Sequence, residues 1–215
     1  LKFIKADIKN YSKIEPLFFK AKYVFHLAAI AEIVPSIDNP QNYFDTNVSG
    51  TLNVLKACSK HKVSKIIYSA SSSCYGLTKK YPTNENVSID PQYPYAFTKY
   101  QGEQLIIHWS KVYKLDFISL RLFNVYGTRS RTSGAYGAVF GVFLAQKLNK
   151  YPFTIVGDGK QKRDFTYVTD VVEAFIKAAM SNKINKIYNV GTGKPTSINK
   201  ISRLIDKRNK LIYLP

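Results

Sequence analysis

The segment Lys65-Ile66-Ile67-Tyr68-Ser69-Ala70-Ser71-Ser72-Ser73-Cys74-Tyr75-Gly76 joins two kinds of sequence. Its first half, Lys65 to Ala70, is a short apolar run without polar alternation, the pattern of a strand buried on both faces of a parallel sheet. Its second half is small and polar. Polar residues at the carboxyl end of a parallel strand stand where open α/β sheets bind ligands. Upstream, Tyr23-Val24-Phe25-His26-Leu27-Ala28 is a second strand of this kind, and downstream Phe117 to Leu122 is a third.

Helical patterns fill the gaps between these strands. Pro40 to His61 places Phe44, Val48, Leu52 and Leu55 at spacings that line one face. A polar loop with Pro82 and Pro91 covers Leu77 to Tyr93, and a long helix follows over Pro94 to Tyr113. At the front, Lys2 to Ala6 reads as a strand. Ser12 to Lys20 reads as a weak amphipathic helix, with Ser12 as cap and Glu15 as its capping-box partner. Beyond Leu122 come a Gly/Ser/Arg loop over Gly127 to Gly137 and a helix over Ala138 to Asn149. A short strand, Phe153 to Val156, ends in Gly157-Asp158-Gly159. Then follow a helix over Thr169 to Met180, a strand over Ile187 to Val190, and a helix over Ser197 to Lys207 capped by Ser197. Strand–helix alternation of this kind predicts an α/β fold with a parallel sheet and helices on both faces.

The bulk properties narrow the function classes. With 215 residues, 45% hydrophobic, 11 Gly and 9 Pro, the chain is neither disordered nor collagen-like. Cys58 and Cys74 form no disulfide framework and no secretory signal is evident, so a reduced, cytoplasmic setting is expected. No Cys/His spacing suggests a metal site. The greasiest stretches, Val24 to Val34 and Ala135 to Leu148, fall short of the ~18 apolar residues of a membrane helix. The formal net charge of +18 raises nucleic-acid binding. Because the lysines are scattered singly, with only short clusters such as Lys207-Arg208-Asn209-Lys210, no specific nucleic-acid partner is expected. A basic surface equally suits an anionic small substrate.

Chemistry concentrates at Tyr95-Ala96-Phe97-Thr98-Lys99. Tyr95 and Lys99 lie four apart on an expected helix and share a face. An ammonium near a phenol favours the phenolate, so this spacing predicts a lowered Tyr95 pKa and a base for a sugar or alcohol hydroxyl. The Ser71–Ser73 cluster precedes Tyr95 by a loop's length, and a Ser hydroxyl there can donate to the oxygen that the Tyr deprotonates. The competing reading of the serines is a turn that satisfies its own backbone.

Together these segments resemble the NAD-dependent epimerase/dehydratase family of extended short-chain dehydrogenases/reductases. Within it, the closest branch is that of the UDP-glucose and UDP-N-acetylglucosamine 4-epimerases. The matching segments are Asp7-Ile8, Val24 to Ala29, Asn47-Val48-Ser49-Gly50-Thr51, Ser69 to Gly76, Tyr95 to Lys99, Arg121 to Gly127, Gly157 to Phe165 and Tyr188 to Gly193. They stand in family order and span nearly the whole chain. The resemblance implies a Rossmann-like doubly wound parallel sheet, truncated at the N-terminus, with part of a small C-terminal substrate-binding lobe. Residues 1–127 would be a partial NAD-binding domain carrying the catalytic Ser, Tyr and Lys. Residues 128–215 would mix substrate-binding segments with returning Rossmann elements.

The resemblance also implies roles. Tyr95 would be the base, Lys99 would hold the nicotinamide ribose, and Ser71 would be the catalytic Ser/Thr. Asp7 and Ile8 would lie near the adenine, Leu27, Ala28 and Ala29 would line the NAD, and Asn47 would help hold the site. Asn124 and Arg163 would face the nucleotide sugar, which is expected to be UDP-linked, with Arg163 near its diphosphate. The reaction implied is 4-epimerisation through a 4-keto sugar. The dehydratase branch places Asp and Glu after its catalytic Thr, where this chain has Ser72 and Ser73. UDP-glucuronate 4-epimerisation ranks below the hexose reading, because that branch usually has Thr at the position of Asn124. Family members dimerise through two long helices, here Pro40 to His61 and Pro94 to Tyr113, so a homodimer is expected. The family's glycine-rich phosphate cradle and the end of its substrate lobe have no counterpart in these residues. The expectation is therefore a fragment, with an inactive remnant as the alternative.

Overall fold

The computed structural model describes residues 2–78, 80–130 and 139–215. The expected loop over 127–137 lies outside the described residues from 131 onward, as does Ala138 at the start of the helix expected after it. Among the described residues the strands are β1 (Tyr23–His26), β2 (Lys65–Ser71), β3 (Asp116–Leu122), β4 (Asn124–Tyr126), β5 (Phe153–Val156), β6 (Lys162–Tyr167), β7 (Lys186–Val190), β8 (Pro195–Ser197) and β9 (Leu211–Leu214). The α-helices are α1 (Tyr11–Ile14), α2 (Ile33–Asp38), α3 (Pro40–Tyr43), α4 (Gly50–Lys60), α5 (Pro94–Tyr113), α6 (Val139–Leu148), α7 (Val168–Met180) and α8 (Ile198–Ile205). Two compact units contain them: Leu1–Leu122 with Glu173–Val190, and Phe123–Val172 with Gly191–Pro215.

The first unit is built on a parallel sheet of order β1-β2-β3-β7. One face presents Val24, Ile66, Tyr68, Ala70 and Phe117 to Val54, Leu55 and Cys58 of α4 and Ile106 of α5. On the opposite face Phe25 meets Phe175 of α7. Helices thus flank both faces, the expected doubly wound arrangement. Buried Lys65 opens β2. Its ammonium donates to the Ser181 carbonyl at 2.6 Å and lies 3.3–3.4 Å from those of Ala178, Ala179 and Lys183. A cation is thereby fixed at the negative, carbonyl-rich end of α7.

Three expectations for this unit change. No strand forms at Lys2 to Ala6, because a ladder needs a neighbour and no described strand runs beside it. The helix expected over Ser12 to Lys20 breaks into α1 and a 3₁₀ turn at Glu15–Phe18, since Pro16 has no N–H to continue an α-helix. Its cap is Asn10, which accepts from the Lys13 N–H at 3.2 Å, while Glu15 bonds His61 and Lys60. The helix expected over Pro40 to His61 is helical throughout Pro40–Lys60, but Phe44–Ser49 is π-helical. The π segment shifts the helix face. Tyr43, Asn47, Thr51, Leu55 and Cys58 are buried, while Phe44, Val48 and Leu52 are only half-buried.

The second unit has β6 between β4 (parallel) and β8 (antiparallel), and a separate parallel pair β5–β9. Its core is Phe143, Phe153, Ile155 and Ile201, with the two Phe rings stacked at 4.7 Å. The cap predicted at Ser197 forms, its hydroxyl accepting from the Lys200 N–H at 3.2 Å.

Candidate active site

The carboxyl end of β2 carries Ser71. Its hydroxyl oxygen accepts from the Ser73 N–H at 3.2 Å and shares a 2.7 Å hydrogen bond with the Ser73 hydroxyl. It therefore caps the 3₁₀ turn Ser72–Tyr75. The self-satisfied turn and the candidate site are one and the same feature. Gly76 closes the turn at φ +61°, where a Cβ would run into the Asp90 carbonyl oxygen. The Asp90 N–H donates to the Cys74 carbonyl at 2.9 Å, so the loop after the turn is pinned back onto it.

Tyr95 stands in the first turn of α5. Burial pushes its phenol above the usual value, and the Ser71 side chain opposes that push. Ser71 and Tyr95 are thus brought together across the loop, but the expected lowering of Tyr95 by Lys99 is not seen. The reason is where Lys99 goes. Its ammonium is buried over the Tyr68 ring, 4.4 Å from the centroid, and makes no hydrogen bond among the described residues. Burial lowers the Lys99 pKa to about 7 against the pull of Glu103 one turn on. Tyr68 in turn donates to the Lys99 carbonyl at 3.1 Å.

Asn47, in the π segment, ties three elements. Its amide donates to the Ile30 carbonyl at 3.0 Å and the Thr98 hydroxyl at 3.1 Å, and its oxygen accepts from the Ile30 N–H at 2.8 Å. Thr98 donates to the Tyr95 carbonyl at 3.0 Å. The loop after β1 and the first turn of α5 are therefore clamped together. Beneath them, Thr51 donates to the Asn47 carbonyl at 2.6 Å, which leaves its oxygen to accept from Nε2–H of His26 at 2.8 Å. Burial lowers the His26 pKa to about 3, so the ring is neutral. Cys58 and Cys74 are buried with pKa values pushed up to about 12, which makes both inert thiols.

The NAD dependent epimerase/dehydratase family model matches residues 1–191. The chain belongs to this family. The UDP-glucose 4-epimerase of Mycolicibacterium smegmatis is 35% identical over 94% of this family member and 65% of its own length. A solved UDP-N-acetylglucosamine 4-epimerase from Methanobrevibacter ruminantium, in complex with UDP-N-acetylmuramic acid, superposes with a TM-score of 0.95 at 34% identity. The match covers 98% of this chain and 69% of that one. A UDP-glucuronic acid 4-epimerase from Bacillus cereus, solved with UDP-glucuronic acid and NAD, gives 0.90 at 33% identity, covering 99% and 68%. The chain spans about two thirds of the length of the curated relatives it matches.

The residues of this family member fit a dinucleotide. Leu27 is 57% exposed and Ala28 is exposed where β1 ends, an apolar shelf that a flat ring system can cover. Lys99 is 4% exposed, and among the described residues its ammonium has no hydrogen-bond acceptor, so its donors are available to a hydroxyl of a bound group. Asp7 and Tyr11 line an open cleft of about 920 Å³ with Lys5 and Lys9. Ile8, half-buried beside it, is held through its carbonyl, which accepts from Asn53 at 3.0 Å. In the second unit, exposed Asn124 on β4 donates to the Asp164 carbonyl at 3.0 Å. Arg163 is exposed on β6, and among the described residues its guanidinium bonds only to the Lys162 carbonyl. The sequence reading missed Tyr68, His26, Thr51 and Thr98, which hold the candidate residues rather than present chemistry. It also missed Glu103, whose position four residues after Lys99 is the one sequence signal that pointed to it.

Proposed function

We propose that this protein is a nucleotide-sugar 4-epimerase acting on UDP-glucose/UDP-galactose or UDP-N-acetylglucosamine/UDP-N-acetylgalactosamine with bound NAD. The juxtaposition of Ser71 and Tyr95 at the carboxyl end of β2 carries the reading. When bound, NAD supplies reversible hydride acceptance at the sugar C4. Lys99 and Tyr95 hold its ribose, Leu27, Ala28 and Ala29 its apolar faces, Asp7 and Ile8 its adenine end, and Asn47 keeps that shelf in place. Tyr95 takes the proton from the sugar 4-hydroxyl and gives it back to the same oxygen when C4 is reduced again on its opposite face. Ser71 donates to the same oxygen. Because burial raises the Tyr95 phenol, a cation near it would favour the phenolate, and the Lys99 ammonium, one turn along α5, would supply that charge with NAD bound. Asn124 and Arg163 bind the sugar nucleotide, with the Arg163 fork on the diphosphate. Ser72 and Ser73 supply no carboxylate for dehydration. The Bacillus cereus relative keeps UDP-glucuronate as a second reading.

A homodimer through α3–α4 and α5 is part of this proposal, supported by exposed Phe97, Val112 and Tyr113 on α5. So is a cytoplasmic setting. Among the described residues no helix is long and apolar enough to cross a membrane. The test is interconversion of UDP-glucose, UDP-N-acetylglucosamine and UDP-glucuronate by the full protein with NAD. Tyr95→Phe is expected to lower turnover by about 10²–10⁴-fold with the melting temperature retained. A mild loss removes Tyr95 from the role of base.

A further inference from the structure

Beneath Ser71 runs a chain of hydrogen bonds that neither binds the proposed ligands nor belongs to the base. It starts at Glu103, 1% exposed in α5. The Glu103 carboxylate accepts from the Ser119 hydroxyl at 2.7 Å and from Nε of Arg121 at 3.1 Å, with a further bond from Nη2. Burial works against the Arg121 charge, and the Glu103 bonds overcome it and hold the guanidinium above its ordinary pKa. Nη1 of Arg121 donates to the Tyr75 hydroxyl at 2.8 Å. Because Arg only donates, the Tyr75 O–H must point onward, and it donates to Oδ1 of Asn189 at 2.8 Å. The Asn189 amide is thereby oriented, and its Nδ2 donates to the Thr83 carbonyl at 3.0 Å. The Asn189 N–H donates to the Glu85 carboxylate at 2.7 Å. From Arg121 through Tyr75 to the Asn189 amide, each side chain's direction is set by the one before it.

The chain therefore runs from α5 through β3 and the 3₁₀ turn to β7 and out to the polar loop. That loop, residues 77–93, is the covalent link between the Ser71 turn and Tyr95. Gly76 and Asp90 close its base, and Asn189 holds its middle. We infer that Tyr75, seated between Arg121 and Asn189, is a positioning residue that fixes the Ser71 turn and the Thr83–Glu85 loop as one unit, and so sets the approach of Ser71 to Tyr95. The kinetic consequence rests on the function proposed above; the mechanical one does not.

The experiment uses the full protein with Tyr75→Phe, Asn189→Ala and the double variant. Tyr75→Phe keeps the ring and deletes only the hydroxyl. Two quantities are read: tryptic cleavage after exposed Lys80, followed by mass spectrometry under native conditions, and kcat and KM for UDP-sugar interconversion. Each single variant is expected to speed cleavage about tenfold, as loss of one buried hydrogen-bond link releases the loop. The double variant is expected to cleave no faster than the faster single, because both cut the same chain. For Tyr75→Phe, kcat is expected to fall about tenfold with KM changed by less than about threefold, since Ser71 is displaced rather than a binding group removed. Unchanged cleavage in Tyr75→Phe, or additive effects in the double variant, overturns the inference. A fall in melting temperature with kcat retained overturns it too, by reducing Tyr75 to packing. If parent and variants alike fail to turn over any UDP-sugar, the proposed function falls while cleavage still decides the loop.

Discussion

Two arginines show how differently the two units hold charge. Arg121 is 4% exposed, and its guanidinium is committed to Glu103 and Tyr75. Arg163 is exposed, and among the described residues its guanidinium bonds only to the carbonyl of its own neighbour. In the first unit the Arg121 charge fixes geometry, and that geometry exists before any ligand arrives. The second unit leaves a cation uncommitted at the surface, which is what anion capture requires. Removing the first should cost stability. Removing the second should cost affinity alone.

The largest expected effect tests that contrast directly. Glu103→Ala strands the buried Arg121 charge and is expected to lower the unfolding free energy by about 3–5 kcal/mol, read from urea melts. Arg163→Ala is expected to leave the melt where it was while raising KM for the UDP-sugar. If both variants melt alike, the contrast is wrong.

A medium effect concerns acid. His26 titrates near 3 when folded against 6.5 as its ordinary value. Its folded pKa is depressed, so the stability it contributes is complete above pH 6.5 and is lost progressively as the pH falls toward 3, where the unfolded chain binds a proton that the folded one refuses. Between pH 7 and pH 5 the expected loss is about 2 kcal/mol, and His26→Asn is expected to flatten that slope. Among the described residues of the second unit, the groups with resolved shifts are the surface carboxylates Asp158 and Asp206, both lowered mainly by backbone hydrogen bonds. Amide exchange at pH 5 should therefore loosen β1 before β5, and simultaneous loosening breaks the comparison.

The last pair uses two glycines with positive φ, and its second member carries the smallest effect. Gly76→Ala, at φ +61° and against the Asp90 carbonyl, is expected to destabilise by about 2–3 kcal/mol. Gly157→Ala, at φ +71° with nothing within 4 Å, is expected to cost only about 1 kcal/mol. Thermal melts of the two variants check the ranking.

What the sequence made legible follows from range. The helix at Pro94–Tyr113 and the strand at Phe153–Val156 were readable from periodicity and local composition alone. Strands β4, β6 and β8 were not, because Lys162–Tyr167 pairs with residues far along the chain on either side and has little local pattern of its own. The π segment escaped for a different reason: Phe44–Ser49 is as compatible with an α-helix by pattern, and the bonds that its Asn47 makes reach Ile30 and Thr98, distant in sequence. At the site, the four-residue spacing of Tyr95 and Lys99 correctly put them on one helix. Spacing sets where a side chain starts, though, not where its end goes, and the Lys99 ammonium turns to Tyr68. Glu103 and Arg121 were invisible as a pair, being joined only by the packing of α5 on β3.

The order in which the chain emerges during synthesis gives the sheet a schedule. Strand β3 pairs with β7, Ile118 opposite Lys186 and Leu122 opposite Val190, yet the residues 123–172 of the other unit are made in between. The edge of β3 must therefore stand unpaired on the ribosome until that whole insertion and most of α7 have been translated. Long-range closure of this kind is slow, and an unpaired, apolar strand edge invites other chains. The β3 edge is thus open to other chains through one translational window, which closes when Lys186–Val190 leaves the exit tunnel.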